Sequence, residues 1–227
     1  MLTHNEQRNA VLLDYTAAHG IETQTHGVRS ETAYGQVRDF RPDVLFSLYY
    51  RDIIPQRILD VPPLGCVNLH PSLLPKYRGT FSSAWAIING EADTGITYHR
   101  MVPAVDAGNI ILQRRVPTAS NDTAYSLYHR LIIEGMSAFD LAFHLVVEER
   151  YPGEPQVGEP SYYPRQLPFR GYVDPKWDRK QIDRFIRAMW FPPFKGACVR
   201  LRGGTEQEVR SLAEYEALVA GHEVEVC

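Results

Sequence analysis

Pro71 stands directly after a run in which apolar and polar residues alternate, Cys66-Val-Asn-Leu-His70. Such alternation is the pattern of a half-buried strand. Proline has no N–H and a fixed φ, so the ladder must end at His70. On a pleated strand Val67 and Leu69 face one way, Asn68 and His70 the other. An amide and an imidazole therefore leave one face at the end of a strand. In α/β sheets, ligands bind outside the carboxyl ends of parallel strands. The loop that follows, Pro71 to Thr80, holds a second proline, Lys76, Tyr77, Arg78 and Gly79. It suits chemistry on an anionic substrate, or it is a solvated connection after a satisfied turn. The residues of this stretch leave both readings open.

Helical and strand patterns alternate around this stretch. Glu6 to His19 predicts a helix with Val11, Leu12, Tyr15 and Ala18 on one face and Gly20 as its stop. Ile21 to Gly27 predicts a short strand. Ser30 is a candidate N-cap for a helix with Tyr34, Val37 and Phe40 as its stripe. Val44 to Tyr50 is nearly all apolar, as a strand covered on both faces would be. A loop and a short helix opening near Pro55 follow, and Leu48 to Ile54 should line the same edge as His70. Ser82 to Gly90 reads as a helix capped by serine. Thr94–Met101 and Ile110–Val116 read as strands. Between them Asp106-Ala-Gly108 is turn chemistry, in which the carboxylate either bonds its own backbone or is held against His70. His99, inside a strand, reads as structural.

Asp122 to Glu149 predicts one long helix that buries Leu127, Leu131, Phe139, Phe143 and Val146. Gly135 in its middle implies a close contact or a bend. Residues 151–171 lack periodicity. Trp177 to Met189 is helical, with Ile182, Phe185, Ile186 and Met189 on one face. Ala197–Leu201 and Glu208–Leu212 form a hairpin around Arg202-Gly-Gly-Thr205. The tail is weakly patterned. The fold class is α/β: a Rossmann-like, mostly parallel sheet with helices on both faces, plus a small C-terminal helix and hairpin. Residues 1–150 form the expected catalytic domain, and 151–227 an extension that completes the substrate site.

A chain of 227 residues with a net charge of −3 lacks the basic excess of a dedicated nucleic-acid binder. Cys66, Cys198 and Cys227 form no CxxC pair, so neither a disulfide framework nor a zinc spacing is expected, and a reducing cytoplasm is the simple inference. No apolar run is long enough to span a membrane, and the first residues do not read as a signal peptide.

Asn68-Leu-His-Pro-Ser-Leu-Leu-Pro75, with Tyr77-Arg-Gly79 and the later Asp106-Ala-Gly108, resembles the formyltransferase family. Thr94–His99, Gly108–Gln113, Asp122–Arg130, Ser161–Pro168, Ile182–Met189 and Phe191-Pro-Pro193 look like its sugar-nucleotide branch. The similarity runs from about residue 1 to about residue 200. It implies Asn68, His70 and Asp106 as the catalytic trio, with 10-formyltetrahydrofolate as co-substrate and no metal. Asp106 is expected to orient His70 and raise its pKa. The pterin is expected against Tyr49, Arg51, Ile53, Ile54, Val102 and Val105. The nucleotide-linked amino sugar, GDP-perosamine or a similar 4-amino-4,6-dideoxy sugar of O-antigen lipopolysaccharide, is expected against Ser72, Lys76, Tyr77, Arg78, Gly79, Thr80, Tyr163 and Arg165. Tyr77, Tyr163 or Trp190 could stack on a base or sugar, or pack in the fold. A homodimer using the C-terminal helix and hairpin is expected, and no nucleic-acid or membrane partner.

Family members carry a strand–helix–strand unit ahead of the segment that begins here at Met1, so an open sheet position is expected. Three rivals remain: formylation of methionyl-tRNA or another amine, an inactive nucleotide-sugar-binding homologue, and a metal hydrolase built on His70, His99 and Asp106.

Overall fold

A computed structural model describes residues 1–3 and 6–224; Cys227 lies outside the described residues. After a 3-10 turn, helix α1 (Ala10–Ala18) leads to α2 (Glu31–Phe40), capped by the Ser30 hydroxyl, which accepts from the Ala33 N–H. Strand β1 (Leu45–Leu48) is followed by α3 (Gln56–Leu59), which Pro55 opens. Then come β2 (Cys66–His70), the short β3 (Arg78–Gly79), α4 (Ser82–Ile88), β4 (Asp93–Arg100) and β5 (Ile110–Pro117). Helices α5 (Ala124–Ser137) and α6 (Phe139–Val147) precede β6 (Tyr162–Tyr163), α7 (Arg179–Met189), the hairpin β7 (Ala197–Arg200) and β8 (Glu206–Val209), and α8 (Leu212–Gly221).

The main sheet has the order β1-β2-β4-β5. The α/β layering is the one the sequence implies. Its parallel pairing is confined to β1 and β2; β2–β4 and β4–β5 are antiparallel, so the sheet is mixed. One face is apolar. Val67, Leu69, Ile96 and Tyr98 are buried there, and the Tyr98 hydroxyl donates to the Gly135 carbonyl on α5 at 2.8 Å. A Cβ on Gly135 would sit 2.7 Å from Leu69 Cδ2, so the helix approaches the sheet only because that residue is glycine. The other face begins apolar, with Leu45 against the Val37–Ile54–Ile58 cluster, and turns polar toward the ends of β2 and β4.

Several expectations are corrected. The stripe of α1 is not a core face: Val11 is 82% and Tyr15 56% exposed, and the buried residue is Thr16. Phe40 is also exposed. Ile21 to Gly27 forms no strand beyond an isolated Leu2–Gln24 bridge. Helix α4 starts after Phe81 in left-handed conformation; the Ser82 hydroxyl does not cap it but donates to the Pro71 carbonyl. The long helix divides at Ala138, three residues after Gly135. Periodicity did not reveal α8. Residues from 151–227, among them Val173, Phe185, Val199 and Tyr215, share one core with Leu69 and Ile96.

Candidate active site

The pleat of β2 and its antiparallel register with β4 assemble the polar face. Asn68 lies opposite His99, and His70 opposite Thr97. Asn68 Nδ2 is 3.2 Å from His99 Nε2. An amide nitrogen carries two hydrogens, so one remains for a ligand. His99 Nδ1 donates to the Arg100 carbonyl at 2.8 Å, which fixes its ring.

The loop after β2 is held from below. The Thr97 hydroxyl donates to the Ser72 carbonyl and accepts from the Leu74 and Gln113 N–H groups. The Ser72 hydroxyl donates to the Lys76 carbonyl at 2.7 Å. These bonds place the Tyr77 carbonyl 2.7 Å from His70 Nε2, so the ring donates there. Its Nδ1 then faces Asp106 Oδ2 at 3.5 Å.

Asp106 arrives from the turn between β4 and β5 with a φ of 51°, left-handed for a non-glycine residue. A Cβ on Gly108 would lie 1.9 Å from the Arg100 carbonyl oxygen, so only glycine lets the turn press this close. Asp106 Oδ2 accepts from the Gly79 N–H at 2.8 Å, and Oδ1 is 3.4 Å from His99 Nε2. Gly79, with a φ of 92°, also admits no side chain, since its Cβ would meet the Tyr163 carbonyl oxygen at 2.0 Å.

The electrostatics follow. Burial by itself would raise the Asp106 carboxyl. The His99 and His70 rings and the Gly79 N–H outweigh it and bring the pKa down to about 2. For His70, burial pushes the imidazole below its ordinary value; Asp106 and the Tyr77 carbonyl pull the other way, and His99 adds to the drop. The expected rise from Asp106 is therefore present as one contribution, but desolvation wins. A neutral His70 can accept a proton at Nδ1, where Asp106 would stabilise it. Asn68, His70 and Asp106 thus lie in one cluster, Asn68 joining it through His99. His99, read as structural, belongs to the same cluster; its register with Asn68 was not visible in its own neighbours.

The other expected ligand residues divide. Ile53, Val102 and Val105 are exposed, and Met101 packs with Tyr50 and Ile54 in one cluster, which brings their loops to a common edge. The Ile54 side chain is buried in that cluster, and the Tyr49 ring packs on the main core. Arg51 pairs with Glu6 at 2.8 Å. Ser72 is wholly buried, so its hydroxyl holds the loop and does not meet a ligand. Lys76 pairs with Glu91, and Arg78 donates to Gln156. The Thr80 hydroxyl donates to the Pro164 carbonyl, and Arg165 is exposed. The Tyr163 ring lies between Trp85 at 4.3 Å and Tyr77 at 5.7 Å. Trp190 lies under the Arg210 guanidinium. A cavity of about 390 Å³ borders Lys76, Tyr77, Glu91, Asp93 and Arg115, but none of the trio. Among the described residues no group of three or more His, Cys, Asp or Glu side chains could hold a metal ion, and no helix is long and apolar enough to cross a membrane.

A mixed sheet thus presents an amide, two imidazoles and a carboxylate at its rim, groups able to donate a hydrogen bond to a developing oxyanion and to carry a proton. The formyl transferase family model matches residues 3–142, and the chain belongs to that family. It is 46% identical over 220 residues to the GDP-perosamine N-formyltransferase of Brucella melitensis, covering 96% of this chain and 84% of the relative. The fold matches a sugar N-formyltransferase from a Shewanella species with a TM-score of 0.74 at 24% identity, covering 92% of this chain and 82% of that one. It also matches an N-formyltransferase from Helicobacter canadensis, solved with folinic acid and dTDP-3-aminofucose. There the TM-score is 0.70 at 27% identity, over 82% of this chain and 66% of that one.

Proposed function

We propose that this chain transfers the formyl group of 10-formyltetrahydrofolate to the amino group of a nucleotide-linked amino-deoxy sugar, GDP-perosamine or a similar 4-amino-4,6-dideoxy sugar of O-antigen lipopolysaccharide. The observation that carries this reading is the placement of Asn68, His70 and Asp106 around one point at the sheet rim. The identity to the Brucella enzyme supports the acceptor. The exposed apolar residues Ile53, Val102 and Val105, the last two from the segment that carries Asp106, suit the flat pterin. Residues 151–227 complete the site, since Ser161 and Tyr163 hold the 77–80 loop.

In this mechanism Asn68 donates its free N–H to the formyl oxygen as negative charge builds there, a contact worth about 3 kcal/mol when preorganised. His70 is neutral at the start. It takes a proton from the attacking amine at Nδ1 and returns one to the departing nitrogen of the folate. Asp106 stays ionised and steadies the imidazolium between those steps. The carbon–nitrogen bond to the sugar forms as the bond to folate breaks, and the proton passes from one nitrogen to the other.

Lys76 reaches the diphosphate by exchanging its partner Glu91, and Arg78 offers it Nη1 while Nε and Nη2 stay on Gln156. Two free buried thiols, Cys66 and Cys198, suit a reducing cytoplasm, the compartment this reading assigns. The C-terminal hairpin and α8 supply the surface of a homodimer, which sedimentation of the purified chain would test. Incubation with GDP-perosamine and 10-formyltetrahydrofolate should give the N-formyl sugar by mass spectrometry. Binding of the nucleotide sugar without formylation would replace this reading with that of a binding protein.

A further inference from the structure

Gln156 lies in the aperiodic stretch after α6, yet all of its hydrogen-bonding capacity is spent at the site. Its Nε2 donates to the carbonyls of Asp106 at 2.7 Å and Gly108 at 2.8 Å. Its Oε1 accepts from Arg78 Nη2 at 2.7 Å and Nε at 3.2 Å. One amide thus ties the turn that carries the carboxylate to the loop whose Gly79 N–H receives it. The neighbouring chain runs the same way: Glu154 and Ile110 exchange both backbone hydrogen bonds at 2.8 Å, and Asn109 Nδ2 donates to the Gly153 carbonyl. The turn needs such a clamp. Asp106 is held in left-handed conformation, which a non-glycine residue leaves readily when unsupported. Gly108 is pressed against Arg100, and its carbonyl accepts from Gln156 Nε2.

We propose that Gln156 is a positioning residue for formyl transfer: it clamps the Asp106–Gly108 turn so that the carboxylate stays between His70, His99 and the Gly79 N–H. It touches no substrate and acts through Asp106. The groups facing that carboxylate are His70 from β2, the Gly79 N–H from β3 and His99 from β4, with Arg78 behind Gln156. The catalytic part of this inference rests on the function proposed above.

The test uses the full chain with Gln156→Ala, Gln156→Glu and Asp106→Asn. Gln156→Glu keeps an acceptor for Arg78 but cannot donate to two carbonyls, so both Gln156 variants should lose kcat about tenfold with KM little changed. In the Asp106→Asn background the same substitutions should change kcat by less than about twofold, because their target is already gone. In the free protein, the ¹³C signal of the Asp106 carboxyl should begin to titrate at higher pH in both variants than in the unaltered chain. A kcat retained in Gln156→Glu, an equal loss in both backgrounds, or an unshifted carboxyl titration would each overturn the proposal. If Gln156→Ala does not fold, Gln156→Glu carries the test, since it preserves the Arg78 contact. If the unaltered chain formylates nothing, the functional reading fails while the carboxyl titration still decides for or against Gln156.

Discussion

The two faces of β2 and β4 are built from alternate residues of the same strands and differ in everything else. On one, Leu69 and Tyr98 close against Gly135 of α5, an apolar contact joined by the Tyr98 hydroxyl's bond to the Gly135 carbonyl. On the other, Asn68, His70, Thr97 and His99 meet loops and one another, and each of these side chains has a hydrogen-bond partner. A buried polar group without a partner costs about as much as a lost core methyl group or more. The chemical face is therefore as ordered as the apolar one, but its order comes from directional bonds that reach across the sequence. Stability and reactivity are thus separable here, residue by residue along one strand.

That separation can be broken experimentally. The largest effect is expected on the chemical face. Asn68→Ala or His70→Ala should lower kcat by about 100- to 1000-fold with nucleotide-sugar binding nearly intact; full turnover in both, measured by formyl-sugar release, would remove the mechanism. Next comes the apolar face. Leu69→Ala should cost about 2–5 kcal/mol in urea unfolding. Gly135→Ala, which forces a methyl against that same leucine, should cost about 1–3 kcal/mol. Neither should alter kcat per folded molecule, and a matching loss of kcat would show that the faces are coupled.

Asp106→Asn sharpens the comparison, because it should affect both properties. The carboxyl's folded pKa is depressed to about 2. Its contribution of about 2 kcal/mol is present above the unfolded value near 4 and is lost as pH falls toward 2. Unfolding at neutral pH should therefore show the deficit, and unfolding near pH 2 should not. The acid limb of kcat should lie below the ordinary imidazole value, because burial lowers His70. It should fall further in Asp106→Asn, which removes the group that pulls His70 back up. The smallest effect belongs to neither face. Arg51→Ala breaks an exposed pair with Glu6 and should change stability by less than about 1 kcal/mol. A large rise in the folate KM there would mark Arg51 as a ligand contact.

Much of the site was legible in residue order. Alternation in β2 put Asn68 and His70 on one side, and Pro71 set where the strand stops. The long apolar periodicity of α7 named its buried residues correctly, since Ile182, Phe185, Ile186 and Met189 are all in the core. Gly135 pointed to a close contact or a bend, and the structure has the contact, with Leu69, while the helix divides three residues further on. Other signals misled because burial is not local. Among the described residues no element covers the apolar stripe of α1, and Ser82 is drawn away from its cap position by the Pro71 carbonyl.

Two features could not be read from the order of residues at all. His99 joins the cluster only because β4 runs antiparallel to β2 in the register that sets it opposite Asn68. Gln156 joins because a chain segment without any repeat passes between Arg78 and the Asp106 turn. A pleat or a helix repeats every few residues, so its facing is written in local composition. A register or a crossing loop depends on where distant segments come to rest, and that is settled only when the whole core closes.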